Sequence, residues 1–378
     1  MRLVSPQQSG LFIVVGLLCL STAVAQTGST LDIGGYAKLS TLVSDSAQPG
    51  ESMSDQLFVV SGIPLRDGRN YVTHDTHSHA KESRLWLRAS SPTALGDAGL
   101  LIEYDWAGSA SSYSPRLRHF YVRLGGALAG QTYSAFTNAA ALADTHAAIA
   151  VGNIVVRQSL LRWTHNAADD SSQWMISLEE PLSRIARPGM SGMTVTNDER
   201  MPDTVVRWQS WQDWGNMTVS AMARRVAYQA AGTRDQKKWG GAVSATGVIN
   251  VGTLDNVRLM FGYGNALGRY IGSTVADAYA DGNDSLSLRT SYGGTLAYQH
   301  YWTDTLRSTL ALGFSRADLP VTAGSGMTRE ARSAHANVMW SPVSHTTFIL
   351  EYLYGFRSTK VGIEGELNRL QLSARINF

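Results

Sequence analysis

The side chains best placed to do chemistry in this 378-residue chain are arginines set at every second position. In Glu82–Ala89, Arg84 and Arg88 share one face of an extended segment with Trp86, while Leu85 and Leu87 take the other. Near the C-terminus Arg369 and Arg375 alternate with Leu370, Leu372, Ala374, Ile376 and Phe378. Successive strand side chains point to opposite faces, so the guanidiniums gather on a polar face. Lys38, Arg116, Arg118, Arg162, Arg207 and Arg258 fall on the corresponding faces of other segments, with Glu103, Asp105, Glu179 and Glu351. A permanently charged guanidinium binds carboxylates through paired donors. The chemistry implied is reversible attraction of small anions rather than bond making. Pairing of the same arginines with the inward acids is the competing structural role.

Other reactive groupings are weaker. His165-Asn166 with Ser171 and Ser172 is the one arrangement that hints at a barrel phospholipase, but nucleophilic catalysis needs an oriented base within reach of the serine. His74, His77 and His79, with Asp75, resemble a short metal-binding cluster, yet they lie in a long polar connection without a second ligand group at defined spacing, so a solvated loop is expected and no metal is assigned. Gly262–Gly268, GYGNALG, starts inside a strand with no helix to follow, which reads as a flexible loop entry rather than a phosphate cradle. No basic tract interleaved with aromatics suggests nucleic-acid binding.

The elements that carry these residues are strands. Charged residues make up 16% of the chain and glycines number 36, and past the N-terminus no apolar run reaches the length of a spanning helix. Candidate strands recur to the end, about sixteen in all: after three up to Trp106 come 115–124, 127–133, 155–165, 172–180, 203–211, 216–228, 238–247, 256–265, 290–302, 305–316, 332–340, 346–357 and 366–378. Their connections alternate. Short turns at Gly125-Gly126, Asn166–Ser171, Gln212–Gly215, Thr303-Asp304 and Ser341–His345 oppose long ones at 44–81, 134–154, 182–202, 266–289 and 317–330. Short turns on one rim and long loops on the other, with a lipid-facing apolar side to each strand, predict an all-β transmembrane antiparallel barrel of the bacterial outer membrane. Trp106, Trp163, Trp174, Trp208, Tyr298, Trp302, Phe348, Tyr352, Tyr354 and Phe378 lie on apolar faces or near strand ends, where amphipathic rings sit at headgroup level. The terminal Phe378 is a signal of the kind read by barrel assembly machinery.

The N-terminus reads as a removed export signal over 1–25: Arg2, an apolar core at Leu11–Leu20, and Ala23-Val24-Ala25 as the cleavage site. The only cysteine, Cys19, lies inside it. The remaining domain, 26–378, would carry no thiol and a net charge of about +1, because Arg2 is the only charge removed from a chain of +2. Any ionic selectivity must then come from where charges sit.

Arg116–Phe136, Gly152–His165, Met201–Arg207, Gln299–Arg307, Met339–Phe356 and the terminal NRLQLSARINF resemble the DcaP-like outer-membrane porins. The resemblance implies a homotrimer of sixteen-stranded barrels with a basic constriction, passing small anionic solutes such as dicarboxylates. Phe120 stands where the family would have a smaller residue and would narrow the pore. The Ala-rich third long connection, FTNAAALADTHAAIAVG, suits a helix packed close to a wall. In sixteen-stranded porins this loop folds inward, which would bring Asp144 and His146 to face the arginine wall. The expectation is a water-filled channel in contact with outer-membrane lipid and without cofactor. An adhesin or receptor acting through the outer loops is the alternative, and a phospholipase the remote one.

Overall fold

The computed structural model describes residues 28–46, 58–60, 63–66, 72–109, 112–147, 149–188, 192–196, 198–229, 236–272, 275–280, 285–321 and 323–378. The export signal expected at 1–25 lies outside them. The strands, in chain order, are β1 (Thr30–Ser46), β2 (Val72–His79), β3 (Arg84–Ser91), β4 (Ala98–Asp105), β5 (Arg116–Leu124), β6 (Ala127–Tyr133), β7 (Arg157–Asn166), β8 (Ser172–Glu179), β9 (Ser183–Ala186), β10 (Met193–Thr196) and β11 (Asp203–Gln212). They continue as β12 (Gly215–Tyr228), β13 (Gln236–Val251), β14 (Asp255–Gly264), β15 (Ala278–Ala280), β16 (Leu286–Ser287), β17 (Ser291–Tyr301), β18 (Leu306–Ala317), β19 (Thr328–Val343), β20 (Thr346–Thr359) and β21 (Glu364–Asn377).

Seventeen of these form one antiparallel sheet. Strands β2 and β3 lie end to end along the same edge of β1, opposite its residues 40–46 and 30–36 respectively. They count as one interrupted strand, and the sheet is a closed sixteen-stranded barrel. Closure runs along β1 and β21, from Tyr36 opposite Asn377 to Asp45 opposite Asn368. The last residue finishes the seam: the Phe378 and Gly35 backbones exchange hydrogen bonds at 3.0 and 3.1 Å. A Cβ on Gly35 would come within 2.4 Å of the Arg84 carbonyl oxygen and 2.8 Å of the Phe378 ring, so this approach needs glycine.

Alternation dictates the two faces. Leu310, Leu312 and Phe314 are exposed on β18, whereas Ala311 and Gly313 between them are buried. The exposed set, with Leu161, Trp163, Ile176, Leu350, Leu370 and Leu372 on other strands, forms the lipid-facing wall. Trp163, Trp174, Trp302, Tyr298, Phe348 and Tyr352 are among the exposed residues as expected, and Trp340 stacks on Phe348 with ring centres 5.7 Å apart.

The apolar core sits inside the barrel, under the loops. Ala135, Phe136, Leu142 and Ile154 of the β6–β7 connection pack with Val205, Met222 and Met260 of the wall and with Leu267, Tyr270 and Ile271 of the β14–β17 connection. Two outer loops also build a small sheet, β10-β9-β15-β16.

Two local readings are corrected. His74, His77 and His79 belong to strand β2 and not to a solvated loop; His77 and His79 pair opposite Leu42 and Ser40. Gly262–Gly268 does not lead into a flexible segment: a three-residue turn of 3-10 helix, Gly268–Tyr270, follows, and Leu267 and Tyr270 are fully buried.

Candidate functional site

The third outer connection, 134–156, runs inside the barrel and is fastened to the inner wall strand by strand. Its start is held when the Ala135 N–H donates to Glu179 on β8 at 2.9 Å. Arg207 on β11 donates to the carbonyl of Thr137 at 2.9 Å, and Asn138 donates to the Thr218 hydroxyl of β12 at 3.1 Å. Arg258 on β14 donates to the carbonyl of Leu142 at 2.7 Å. Asp144 accepts from Gln299 on β17 at 2.6 Å and pairs with Arg307 on β18 at 2.9 Å. The amide of Asn337 on β19 donates to the Asp144 carbonyl at 2.9 Å. His146 donates its N–H to Glu351 on β20 at 2.6 Å, its ring bonds the Ser373 hydroxyl on β21, and its carbonyl accepts from Lys38 on β1. The circuit therefore covers the wall from β8 round to β1.

Glycine lets the loop lie flat. Gly152 has φ +83°, and a Cβ there would meet the Phe314 carbonyl oxygen at 2.1 Å and the Gly294 backbone at 2.6 Å. A Cβ on Gly313 of β18 would meet the Val151 carbonyl oxygen at 2.2 Å. Side chains at these points would hold the loop off the wall.

The structure therefore places the loop inward as expected, though it contains only a three-residue 3-10 turn, Ala139–Ala141, where the alanines suggested a longer helix. Asp144 and His146 do not look across the lumen at an arginine wall. They turn toward the wall the loop rests on, because its donors lie there: Arg307, Gln299 and Lys38.

The wall from β21 through β1 and β3 to β5 carries a different set. Arg116 grips Asp105 through both oxygens, at 2.8 and 2.6 Å. Arg118 reaches Glu103 at 2.7 Å and Asp105 at 2.8 Å, and Arg84 pairs with Glu103 at 3.2 Å. Arg84 and Arg375 both lie over the Tyr36 ring, 5.2 and 5.7 Å from its centre. Lys38 pairs with Glu82 at 2.8 Å. Arg88 stands 4.0 Å from Asp32 at the short-turn end, and both are more than half exposed. Arg369 is buried and donates to Ser44 at 2.8 Å. Among the described residues, no carboxylate pairs with Arg162, Arg207, Arg258 or Arg375. Pairing with inward acids therefore accounts for Lys38, Arg84, Arg116 and Arg118, and leaves the other four.

Reading by alternation missed Arg307, Glu82 and Arg157, the last stacked 5.3 Å from the Tyr133 ring. Phe120, expected from the family resemblance to narrow the pore, lies elsewhere. A bulge sets Glu103 opposite His119 and Tyr104 opposite Leu117, so that Arg118 is an extra residue. The parity of β5 shifts there, and Phe120 pairs with Ile102 on the lipid side, half exposed, where it cannot narrow the lumen.

The rival groupings do not assemble. His165 lies one residue before the end of β7, and the Ser171 hydroxyl donates to Asp169 at 2.8 Å, not to the histidine. His77 meets Asp75 at 3.1 Å, and among the described residues no group of three or more His, Cys, Asp or Glu side chains could hold a metal ion.

The roots of the loops, where they leave the strands, are locked by buried charge. Arg224 on β12 is fully buried and pairs with Asp203 at 3.1 Å and with Asp277, while donating to the carbonyls of Leu182 at 2.7 Å and Ala266 at 3.2 Å. Arg269 joins Asp203 at 2.9 Å, and the Tyr270 hydroxyl donates to Asp203 at 3.0 Å. Burial, with Glu179 and Asp203 close by, raises the Tyr270 hydroxyl pKa well above its ordinary value, which keeps it a donor.

Comparison with solved structures places the barrel among porins. The outer-membrane channel DcaP of Acinetobacter baumannii is similar over 94% of this chain and 99% of its own, at 20% identity and a TM-score of 0.78. An anion-selective porin from Comamonas acidovorans matches over 93% and 100% at 9% identity, TM-score 0.55. OmpF of Salmonella typhi, solved with daunomycin, matches over 93% and 98% at 11% identity, TM-score 0.54. At these identities the likeness is one of fold. No curated protein sequence matches the chain significantly. The sequence model of the DcaP outer membrane protein family does match, across residues 45–378, and with the porin-type barrel already described this chain belongs to that family and to the outer membrane.

Proposed function

We propose that the barrel is a porin for passive diffusion of small hydrophilic solutes, with a preference for anions such as dicarboxylates. The inward third loop acts as the constriction, and the inner-wall residues Lys38, Arg84, Arg88, Arg116, Arg118, Arg162, Arg207, Arg258, Arg369 and Arg375 set the field that solutes meet. One observation carries the reading: Arg162, Arg207, Arg258 and Arg375 have no carboxylate partner among the described residues. A guanidinium whose charge no carboxylate offsets, in a water-filled barrel, attracts carboxylates and holds them only briefly. The protein assembles as a homotrimer in outer-membrane lipid, after loss of residues 1–25 and recognition of Phe378 by the assembly machinery. A solved trimeric form of OmpT from Vibrio cholerae, similar in fold, supports the assembly.

The experiment is the reversal potential of the reconstituted full barrel in a planar bilayer under a KCl gradient. The expected sign is that of chloride preference, with Arg162→Ser plus Arg375→Ser moving it toward potassium. A potassium-selective wild type would refute the anion reading.

A further inference from the structure

Two guanidiniums at the outer end of the lipid-facing wall share a single carboxylate. On β18 the exposed face reads Leu310, Leu312, Phe314, Arg316 toward the long-loop rim. Arg332 of β19 lies directly opposite Phe314, and Glu330 opposite Arg316. Glu330 stands between the two arginines: Arg316 is 3.7 Å from one of its oxygens and Arg332 bonds the other. Arg316 is 44% and Arg332 66% exposed, against 21% for Glu330, so the cations point outward while their shared counter-ion is covered. Arg332 also stacks over the Phe356 ring at 5.9 Å, and Phe314 touches Tyr292 at 6.3 Å between ring centres. Aromatic rings with basic residues just above an apolar band mark the level of lipid headgroups.

Of the outward acids on β21, Glu366 is taken, since it pairs with Arg66 and accepts from the Tyr354 hydroxyl at 3.2 Å, and Glu364 lies two strands from Glu330 with Ser358 between them. Two cations against one anion leave guanidinium donors directed at the headgroup layer, in the fork geometry that suits phosphate oxygens. The geometry points to a binding site on the outer surface of β18–β20 for the phosphate of an outer-leaflet lipid, with Arg316 and Arg332 on the phosphate and Phe314, Leu312 and Phe356 against its acyl chains. The occupant is a phosphorylated lipid rather than free phosphate, because the donors stand at the head of a continuous apolar wall. The site is independent of what passes through the lumen.

The test uses the full barrel in detergent, titrated with bis-phosphorylated lipid A and read by native mass spectrometry. Wild type should retain the lipid, and Arg316→Ser with Arg332→Ser should bind about thirtyfold more weakly, at about fivefold for each charge near a membrane surface. Glu330→Gln, which frees both arginines, should bind more tightly and keeps the test decisive if the double variant fails to fold. Equal binding of lipid A and its dephosphorylated form would overturn the phosphate contact. Displacement by millimolar inorganic phosphate would make this a free-anion site and overturn the lipid assignment. Unchanged affinity in the double variant, or weaker binding by Glu330→Gln, would overturn the proposal.

Discussion

Replacing Glu351 by leucine should detach the middle of the third loop from the barrel wall without unfolding the barrel. Glu351 is 1% exposed and accepts four hydrogen bonds: from the His146 N–H at 2.6 Å, Asn337 at 3.1 Å, His335 at 3.1 Å and Gln371 at 3.3 Å. Asn337 keeps a second partner, the Asp144 carbonyl, and His335 keeps the Ser333 hydroxyl. The loss is concentrated at the buried His146 N–H and the Gln371 amide. A bond to a charged acceptor contributes about 1.5–3 kcal/mol, and an orphaned buried donor costs about 1–3 kcal/mol, so the latch weakens by about 3 kcal/mol. That raises the fraction of time the 144–147 stretch is unlatched by about 150-fold. Asp144 to Arg307 and Val151 to Ser333, at 2.9 Å each, still hold the loop on either side. Single-channel recording should therefore show an unchanged main conductance with brief downward excursions about two decades more frequent. Glu351→Gln, which keeps an acceptor for His146, should restore most of the quiet trace. A Glu351→Leu channel as quiet as wild type would refute the view that this carboxylate fixes the constriction, and so would a glutamine variant as noisy as the leucine one.

Other consequences follow from single contacts. Arg224→Met leaves Asp277 and Asp203 short of a cation in a fully buried place; a loss of about 3–5 kcal/mol is expected, read as a lower temperature for the heat-shift of the folded barrel on a gel, and an unchanged temperature would show that Arg269 and Tyr270 suffice. Gly313→Val puts side-chain carbon 2.2 Å from the Val151 carbonyl oxygen and must lift the loop by about 1 Å into the lumen, so conductance should fall in a barrel that still forms. Phe120→Ser should leave conductance within about a tenth of wild type, because the ring faces lipid; an increase would return it to the lumen.

How far these features were legible depends on contrast between the two faces of a strand. GELNRLQLSARINF alternates cleanly, and its faces in β21 are those expected, with Arg369 and Arg375 inward. VTHDTHSH is polar on both faces, so alternation carries no signal and β2 read as loop. Its pairing with β1 is evident only once the barrel closes. In β5 the contrast exists, but a single bulged residue reverses it midway. Inward folding of the third loop was expected from the resemblance and its small residues. Its partners were not readable, because each contact joins residues 40 to 230 or so positions apart, such as His146 to Ser373 or Asp144 to Arg307. The same distance hid Arg307, whose segment resembles the family but whose role needs Asp144 beside it.

The third loop also decides which charges a solute can feel. The acids it recruits, Glu179 and Glu351, are both 1% exposed, lying between loop and wall. Arg207 and Arg258 are recruited too, but to loop carbonyls, which take up hydrogen bonds without cancelling charge. On the uncovered side Arg84, Arg116, Arg118, Arg157 and Arg162 stand with Glu103 and Asp105, an excess of three positive charges. Covering of acids on one wall and their scarcity on the other both favour the anion preference proposed above. On the proposed reading, a chain whose net charge is only +2 presents a basic lumen through where its charges sit. The proposed anion preference should accordingly depend on the loop's seating: a variant that unlatches it exposes Glu351 and Glu179, and should lose chloride selectivity even though every arginine remains.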